Sequence, residues 1–225
     1  MSTPDEVEPL VIGLIKEYLQ KKPFFSIENI VTYINNRTRA KPYLNKNKIE
    51  KIVKSLIKKR RIIPGTKLMK NNIIEHPIRN EIFNFVKKKP SNINEIMRAL
   101  NIGSNQALWH LSCLEKFQFT RSRDIENQRI IFLYDSDPNL DEIYFYLNQD
   151  IVKEIIALMI NEKESLKTSD ISNQLKKNYN TIKKYLQILK RLNLISIEKD
   201  KKRTLFNLNY DEYDKLKDLI LGGKR

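Results

Sequence analysis

Ile96 to Phe119 reads IMRALNIGSNQALWHLSCLEKFQF, and Ile171 to Leu194 reads ISNQLKKNYNTIKKYLQILKRLNL. Aligned at a constant offset of 75 residues, the two stretches set apolar on apolar: Ile96 on Ile171, Leu100 on Leu175, Ala107 on Ile182, Leu111 on Leu186, Leu114 on Leu189, Phe117 on Leu192 and Phe119 on Leu194. In each copy a short periodic segment stops at a turn (Asn101 to Gly103, Lys176 to Asn178). A second segment then carries apolar residues at i, i+4 and i+7, the spacing that fills one side of an α-helix. This is helix-turn-helix patterning, and each copy runs on into an alternating stretch, Phe119 to Tyr134 and Leu194 to Leu208. The polar centres of those stretches, Asp124-Ile125-Glu126-Asn127 and Lys199-Asp200-Lys201-Lys202, suit β-hairpin turns.

Working outward, an amphipathic helix precedes each copy, at Pro77 to Lys88 and at Asp150 to Asn161. The order helix, helix, helix, hairpin therefore occurs twice, which predicts winged-helix modules. A weaker version fills the N-terminal third. There Glu8 to Gln20, Ser26 to Asn35 and Asn45 to Arg60 read as helices, with Ile49, Val53 and Leu56 at the same i, i+4, i+7 places. Ser26 and Asn45 stand where N-caps belong, and the wing is short or missing because only Ile62-Ile63 before Pro64-Gly65 reads as strand. Turn formers near Pro64 to Asn72 and at Asp135 to Asn139 mark boundaries. The expected architecture is mainly α with small β-hairpins, tandem winged helix-turn-helix domains: 1–70 degenerate, 71–138 complete, and 139–225 complete with a C-terminal helix at Tyr210 to Leu221. That last helix carries Tyr213, Leu216 and Ile220 on one side, a surface suited to its own wing or to a homodimer contact with a second subunit.

The 225 residues hold 42 Lys plus Arg against 27 Asp plus Glu, a net charge of +15. Such an excess favours a polyanionic partner. It is uneven: 16 basic and 6 acidic side chains in 1–70 leave +10, 9 and 8 in 71–138 leave +1, and 17 and 13 in 139–225 leave +4. No run approaches the roughly 18 apolar residues of a bilayer span, and the start of the chain is acidic where a signal peptide is basic, so a cytoplasmic location without membrane attachment is expected. The single Cys113 forms no internal disulfide, and with only His76 and His110 there is no zinc-ligand cluster. Five scattered glycines make no phosphate-cradling loop. No cofactor is expected, and no nucleophile, base and metal set for an enzyme can be assembled.

Gln106-Ala107-Leu108-Trp109-His110-Leu111-Ser112-Cys113-Leu114, leading into an apolar pair and a basic strand, resembles the recognition helix of archaeal winged-helix transcriptional regulators related to the ArsR and MarR groups. Thr181-Ile182-Lys183-Lys184-Tyr185-Leu186-Gln187-Ile188-Leu189 fits the same pattern. The resemblance covers about Glu75 to Leu208 and implies that double-stranded DNA is read by the outward face of the third helix and by the wing. In the last module it points to Asn180, Thr181, Lys183, Lys184, Gln187 and Arg191, with Lys201, Lys202 and Arg203 on the wing. Amides and hydroxyls of this kind bond base edges, and the cations neutralise phosphates. In the first module the corresponding face is Asn47, Lys48, Lys51, Lys54 and Lys58, nearly pure charge and suited to a phosphate grip. In the middle module it is Asn105 and Gln106, with Arg121 and Arg123 on the wing. Trp109 departs from the pattern, occupying the place of a polar or basic contact.

Each of these features has a plainer reading. Trp109 packs on its own wing or a neighbouring module in the plain case and meets a protein partner in the sharp one. His110 reads as a structural imidazole rather than a ligand, and Cys113 as a small packing residue rather than a redox switch. Basic runs are often merely solvated faces, and abundant Lys, Asn and Ile also follow from an AT-rich genome. A protein-interaction adaptor is the rival function, motivated by the near-neutral middle module. On the DNA reading, replacing both Lys184 and Arg191 by Ala abolishes specific duplex binding; unchanged gel retardation by that double variant contradicts it.

Overall fold

A computed structural model describes residues 4–22, 24–162, 164–200 and 203–221, with side chains over 7–22, 24–162, 164–199 and 203–216. The described residues are mostly helical, with two small antiparallel sheets in the manner of winged helices. The chain divides into two compact units, Met1–Phe85 with Ile93–Ser122, and Val86–Asn92 with Arg123–Arg225.

The first unit opens with α1 (Pro4–Lys21), α2 (Ile27–Arg37) and α3 (Lys46–Lys58). Ser26 and Asn45 do cap α2 and α3: their side-chain oxygens accept from the backbone N–H of Asn29 and Lys48, satisfying donors that a helix start leaves open. Val11, Ile15, Ile30, Ile34, Ile49 and Val53 have no exposed surface and form the core that joins the three helices. After α3 the chain turns at Gly65, whose φ of 79° lies in the left-handed region that glycine enters without steric cost. It returns so that Ile62 pairs antiparallel with Met69 through a single bridge, which is all the wing this segment has. A short α4 (Lys70–Ile73) comes next, within the stretch that the sequence marks as a boundary. Beyond it lie α5 (Pro77–Lys88), α6 (Ile93–Leu100) and α7 (Ser104–Lys116). On α7, Ala107, Leu111 and Leu114 are buried, as their i, i+4, i+7 spacing requires.

Strands β1 (Ser91–Asn92), β2 (Thr120–Ile125) and β3 (Gln128–Leu133) form a sheet of order β1-β3-β2. The two residues between β2 and β3, Glu126 and Asn127, both have positive φ (50° and 61°), the pairing that a type I′ hairpin turn demands. In the second unit a 3₁₀ turn at Pro138–Leu140 leads into α8 (Asp141–Leu147), then α9 (Asp150–Glu162), α10 (Thr168–Leu175), α11 (Tyr179–Arg191), β4 (Ile195–Asp200), β5 (Arg203–Leu208) and α12 (Tyr210–Leu221). Val152, Ile155, Ile171, Ile182, Leu186 and Leu189 are fully buried in the main core of this unit. Tyr213 and Leu216 of α12 turn onto that same core, so the described apolar side of the last helix is used within the unit; Ile220 lies outside the described side chains.

The repeat extends from apolar spacing to backbone geometry. Ser91 pairs with Ile131, and 75 residues later Leu166 pairs with Phe206. Asn101 and Lys176 both take left-handed φ (51° and 52°), as do Gln118 and Asn193 (59° and 60°). The ends of the third helices are alike in three places. Arg61 N–H donates to the Leu56 carbonyl, Phe119 N–H to Leu114 and Leu194 N–H to Leu189, each at 2.9 Å. A left-handed residue, Arg60, Gln118 or Asn193, precedes the donor each time, which is the Schellman closure of a helix C-terminus.

Lys176 is exposed and holds its left-handed conformation against the penalty that a Cβ imposes there. Lys176→Gly is expected to stabilise the fold by about 0.5–1 kcal/mol, read as a higher urea midpoint at unchanged m-value.

Candidate nucleic-acid interface

The α3 ridge results from the side chains beneath it. Ile49, Val53 and Leu56 are wholly buried, so Asn47, Lys48, Lys51, Lys54 and Lys58 stand on the opposite side, all exposed. Lys54 reaches the Glu50 carboxylate one turn back at 2.6 Å. The Lys54 hydrogen bond and charge hold the Glu50 carboxyl below its usual range. Lys48, Lys51 and Lys58 make no ion pair among the described residues, so their ammonium groups face solvent with no competing carboxylate.

On α7 the outward surface is of another kind. Asn105 and Gln106 are exposed in the first turn, followed by Leu108 at 45% and Trp109 at 55% exposure. The Arg79 guanidinium carbon lies 5.9 Å from the Trp109 ring centre, and His110 meets the indole edge-on at 4.7 Å. Trp109 thus leans on Arg79 and its helix neighbour His110 with half of its surface open. His110 and Arg79 are buried beside His76, whose ring is 4.7 Å from that of His110. Burial first, then the charges of His76 and Arg79, pull the His110 pKa down to about 4. Cys113 is a buried packing thiol. Arg121 is half-buried on β2.

The α11 ridge is built like that of α3 and then partly covered. Asn178 caps the helix, its side chain accepting from Asn180 N–H at 2.8 Å, and Ile182, Leu186 and Leu189 lie fully buried below. Asn180, Thr181, Lys183, Lys184, Gln187 and Arg191 are all exposed in consequence. A second apolar stripe on the same helix, Tyr185, Ile188 and Leu192, packs on a separate small core of Ile125, Ile130, Phe132, Phe145 and Tyr146. That core brings the β2–β3 hairpin and α8 against the helix, and with them their carboxylates. Glu126 at the hairpin tip meets Lys184 at 3.0 Å, and Glu142 of α8 meets Arg191 at 3.0 Å. The Glu126 hydrogen bond raises the Lys184 pKa above its ordinary value. Tyr146, between them, is pushed up to about 12, chiefly by burial and then by the Glu126 carboxylate to which it hydrogen-bonds. These groups line a cleft of about 430 Å³, with Gln187 in its wall.

Arg123, assigned to the wing surface by sequence, is exposed on β2, and its guanidinium lies 3.8 Å from Asp141 and 3.7 Å from Glu142 of α8 and donates to the Pro138 carbonyl. Arg203 is exposed on β5, and Lys201 and Lys202 lie outside the described residues. Of the α11 candidates, Asn180, Thr181 and Lys183 carry no carboxylate partner among the described residues. Half-exposed ion pairs of this type contribute only about 0–1 kcal/mol each to stability, but they set which anion the lysine and arginine face. Glu126, Glu142 and Tyr146 are not among the residues to which the sequence points. A local signal for α8 does exist in Asp137-Pro138 followed by Asp141-Glu142, a helix-start pattern, whereas the approach of Glu126 to Lys184 joins residues distant along the chain and has no local signature.

Among the described residues no group of His, Cys, Asp and Glu has metal-site geometry, and no helix is long and apolar enough to cross a membrane. The family described as "Winged helix-turn-helix transcription repressor, HrcA DNA-binding" matches residues 146–199, from the end of α8 through α11 into β4. An uncharacterised HTH-type transcriptional regulator of Methanocaldococcus jannaschii is 24% identical over 143 residues, 63% of this chain. The aligned part is 36% of that relative's length, so this chain matches about a third of it.

With its folded pKa depressed to about 4 against 6.5 when unfolded, His110 makes the unfolded chain the stronger proton binder between those values. Its contribution is complete above pH 6.5 and declines as pH falls toward 4, by up to ~3 kcal/mol. The urea midpoint should therefore be lower at pH 5 than at pH 7, and His110→Gln should flatten that part of the profile.

Proposed function

We propose that the chain is a DNA-binding transcriptional regulator of tandem winged-helix modules, 1–70, 71–138 and 139–225, that grips duplex DNA without a chemical step. One observation carries this reading: Lys48, Lys51 and Lys58 form an exposed ridge on a third helix, anchored from beneath by wholly buried Ile49, Val53 and Leu56 and without carboxylate partners among the described residues. Cations in that array match the phosphates flanking a groove, and affinity of this kind is governed by counterion release. The likeness of residues 146–199 to a repressor's DNA-binding domain, and of a larger stretch to an archaeal regulator, supports it further.

The modules then divide the work. The α3 ridge supplies sequence-independent grip, while Asn180, Thr181 and Gln187 on α11 carry the amide and hydroxyl groups that discriminate base edges. Lys183, Lys184, Arg191 and the β4–β5 wing residues Lys201, Lys202 and Arg203 would add phosphate contacts. In the middle module the exposed Asn105 and Gln106 would meet base edges, and the Leu108–Trp109 surface favours a second role, contact with a protein partner. An adaptor built on that surface alone shows no saturable, salt-dependent binding to duplex.

Gel retardation or anisotropy with duplex DNA at several salt concentrations tests the reading. With about eight phosphates engaged, log affinity falls against log salt with a slope of roughly −7. Replacing Lys48, Lys51 and Lys58 together by Ala should weaken binding to every sequence and make the slope shallower by about 2.7.

A further inference from the structure

We propose that Glu126 and Glu142 act as an internal substitute for DNA phosphate, holding α11 closed, so that the last module engages a duplex only when the β2–β3 hairpin and α8 release it. This inference rests on the DNA-binding reading above and adds regulation to it.

Three features converge on one side of α11. The carboxylates sit at 3.0 Å from Lys184 and from Arg191, the two cations placed two turns apart on the helix's outward surface. Ammonium and guanidinium groups meet carboxylate and phosphate oxygens with the same geometry, so a phosphate backbone and these carboxylates compete for the same donors. Second, Ile188 keeps only 9% of its surface exposed where it packs against Ile125, Ile130, Phe132, Phe145 and Tyr146. The third helix of a winged fold needs one apolar stripe to reach its own core, and α11 already has Ile182, Leu186 and Leu189 for that; Ile188 serves this second contact. Third, Gln187, whose amide suits a base edge, lies in the cleft wall between the two pairs. A duplex entering there meets two carboxylates first, and like charges repel it.

The α3 helix shows the contrast. Its equivalent ridge carries one intrahelical carboxylate, Glu50, and leaves Lys48, Lys51 and Lys58 open. The chain thus pairs a permanently available grip with a reader that is covered by its own acidic surface. The covering contact consists of half-exposed ion pairs and the apolar packing of Tyr185, Ile188 and Leu192 on Ile125, Ile130, Phe132, Phe145 and Tyr146, which DNA or a partner on the hairpin has to displace.

The test is a mutant cycle read by duplex affinity at fixed salt, with the full-length chain. Glu126→Gln with Glu142→Gln should tighten binding by about three- to tenfold, as expected when two ion pairs of this class are relieved. The same two substitutions in a Lys184→Gln, Arg191→Gln background should change affinity by less than about twofold, because the donors they free are gone. Replacing Glu154 and Glu212, which pair elsewhere with Lys177 and Lys215, by Gln gauges the general effect of removing two negative charges and should fall well short of the first increase. If the wild type binds duplex with the expected salt dependence but the Glu126/Glu142 variant gains no more than this control, or gains equally without Lys184 and Arg191, the closed α11 is wrong while the DNA reading stands. If no form binds duplex in a saturable, salt-dependent way, both are overturned.

Discussion

Burial of three apolar side chains at i, i+4 and i+7 on a third helix is the constraint on which the rest of the molecule depends. Ile49, Val53 and Leu56 on α3, Ala107, Leu111 and Leu114 on α7, and Ile182, Leu186 and Leu189 on α11 all sink into a core. A helix pinned along one stripe has no rotational freedom left, and its opposite side must face outward. The residues standing on that side are then decided by sequence alone: lysines on α3, an apolar and amide mixture on α7, and mixed cations and amides on α11. The backbone is common to the three, and the chemistry is not.

α11 adds a second demand to the first. Its extra stripe of Tyr185, Ile188 and Leu192 ties it to the β2–β3 hairpin and α8 as well as to its own core. A helix with two buried stripes has a narrower open sector, here centred on Asn180, Thr181 and Lys183 near its N-terminal end. Its cations lie at the margin of the second contact, where acidic residues at a hairpin tip and a helix start can reach them. Position, rather than any change in the residues themselves, distinguishes Lys184 from Lys51.

The helices and hairpins are legible in the sequence because they are encoded by local spacing. Pro77–Lys88 and Tyr210–Leu221 begin and end in the structure where the periodicity places them, and Asn45 caps α3 as its side-chain type suggests. α8 is harder to see because its run of Tyr144, Phe145, Tyr146 and Leu147 is apolar on every side, so no period marks it. The outward placement of Lys184 and Arg191 is also legible, as residues opposite buried leucines. Their ion pairs are not, since Glu126 and Glu142 approach them through tertiary packing of elements far apart in sequence. Arg123 illustrates the same limit: its place on the hairpin is legible, and the approach of Asp141 and Glu142 from the neighbouring helix is not.

The Schellman closure that ends α3, α7 and α11 reaches beyond helix termination. By fixing the exit of the chain with a hydrogen bond back into the last turn, it uncouples the downstream segment from the helix itself. After α3 the returning strand shrinks to one bridge between Ile62 and Met69, whereas after α11 it runs to six residues on each side, and the helix is closed in the same way in both cases. Loop length after these helices is thus a free variable of the architecture, so a hairpin could be grown, trimmed or transplanted there without recutting the scaffold that presents the helix.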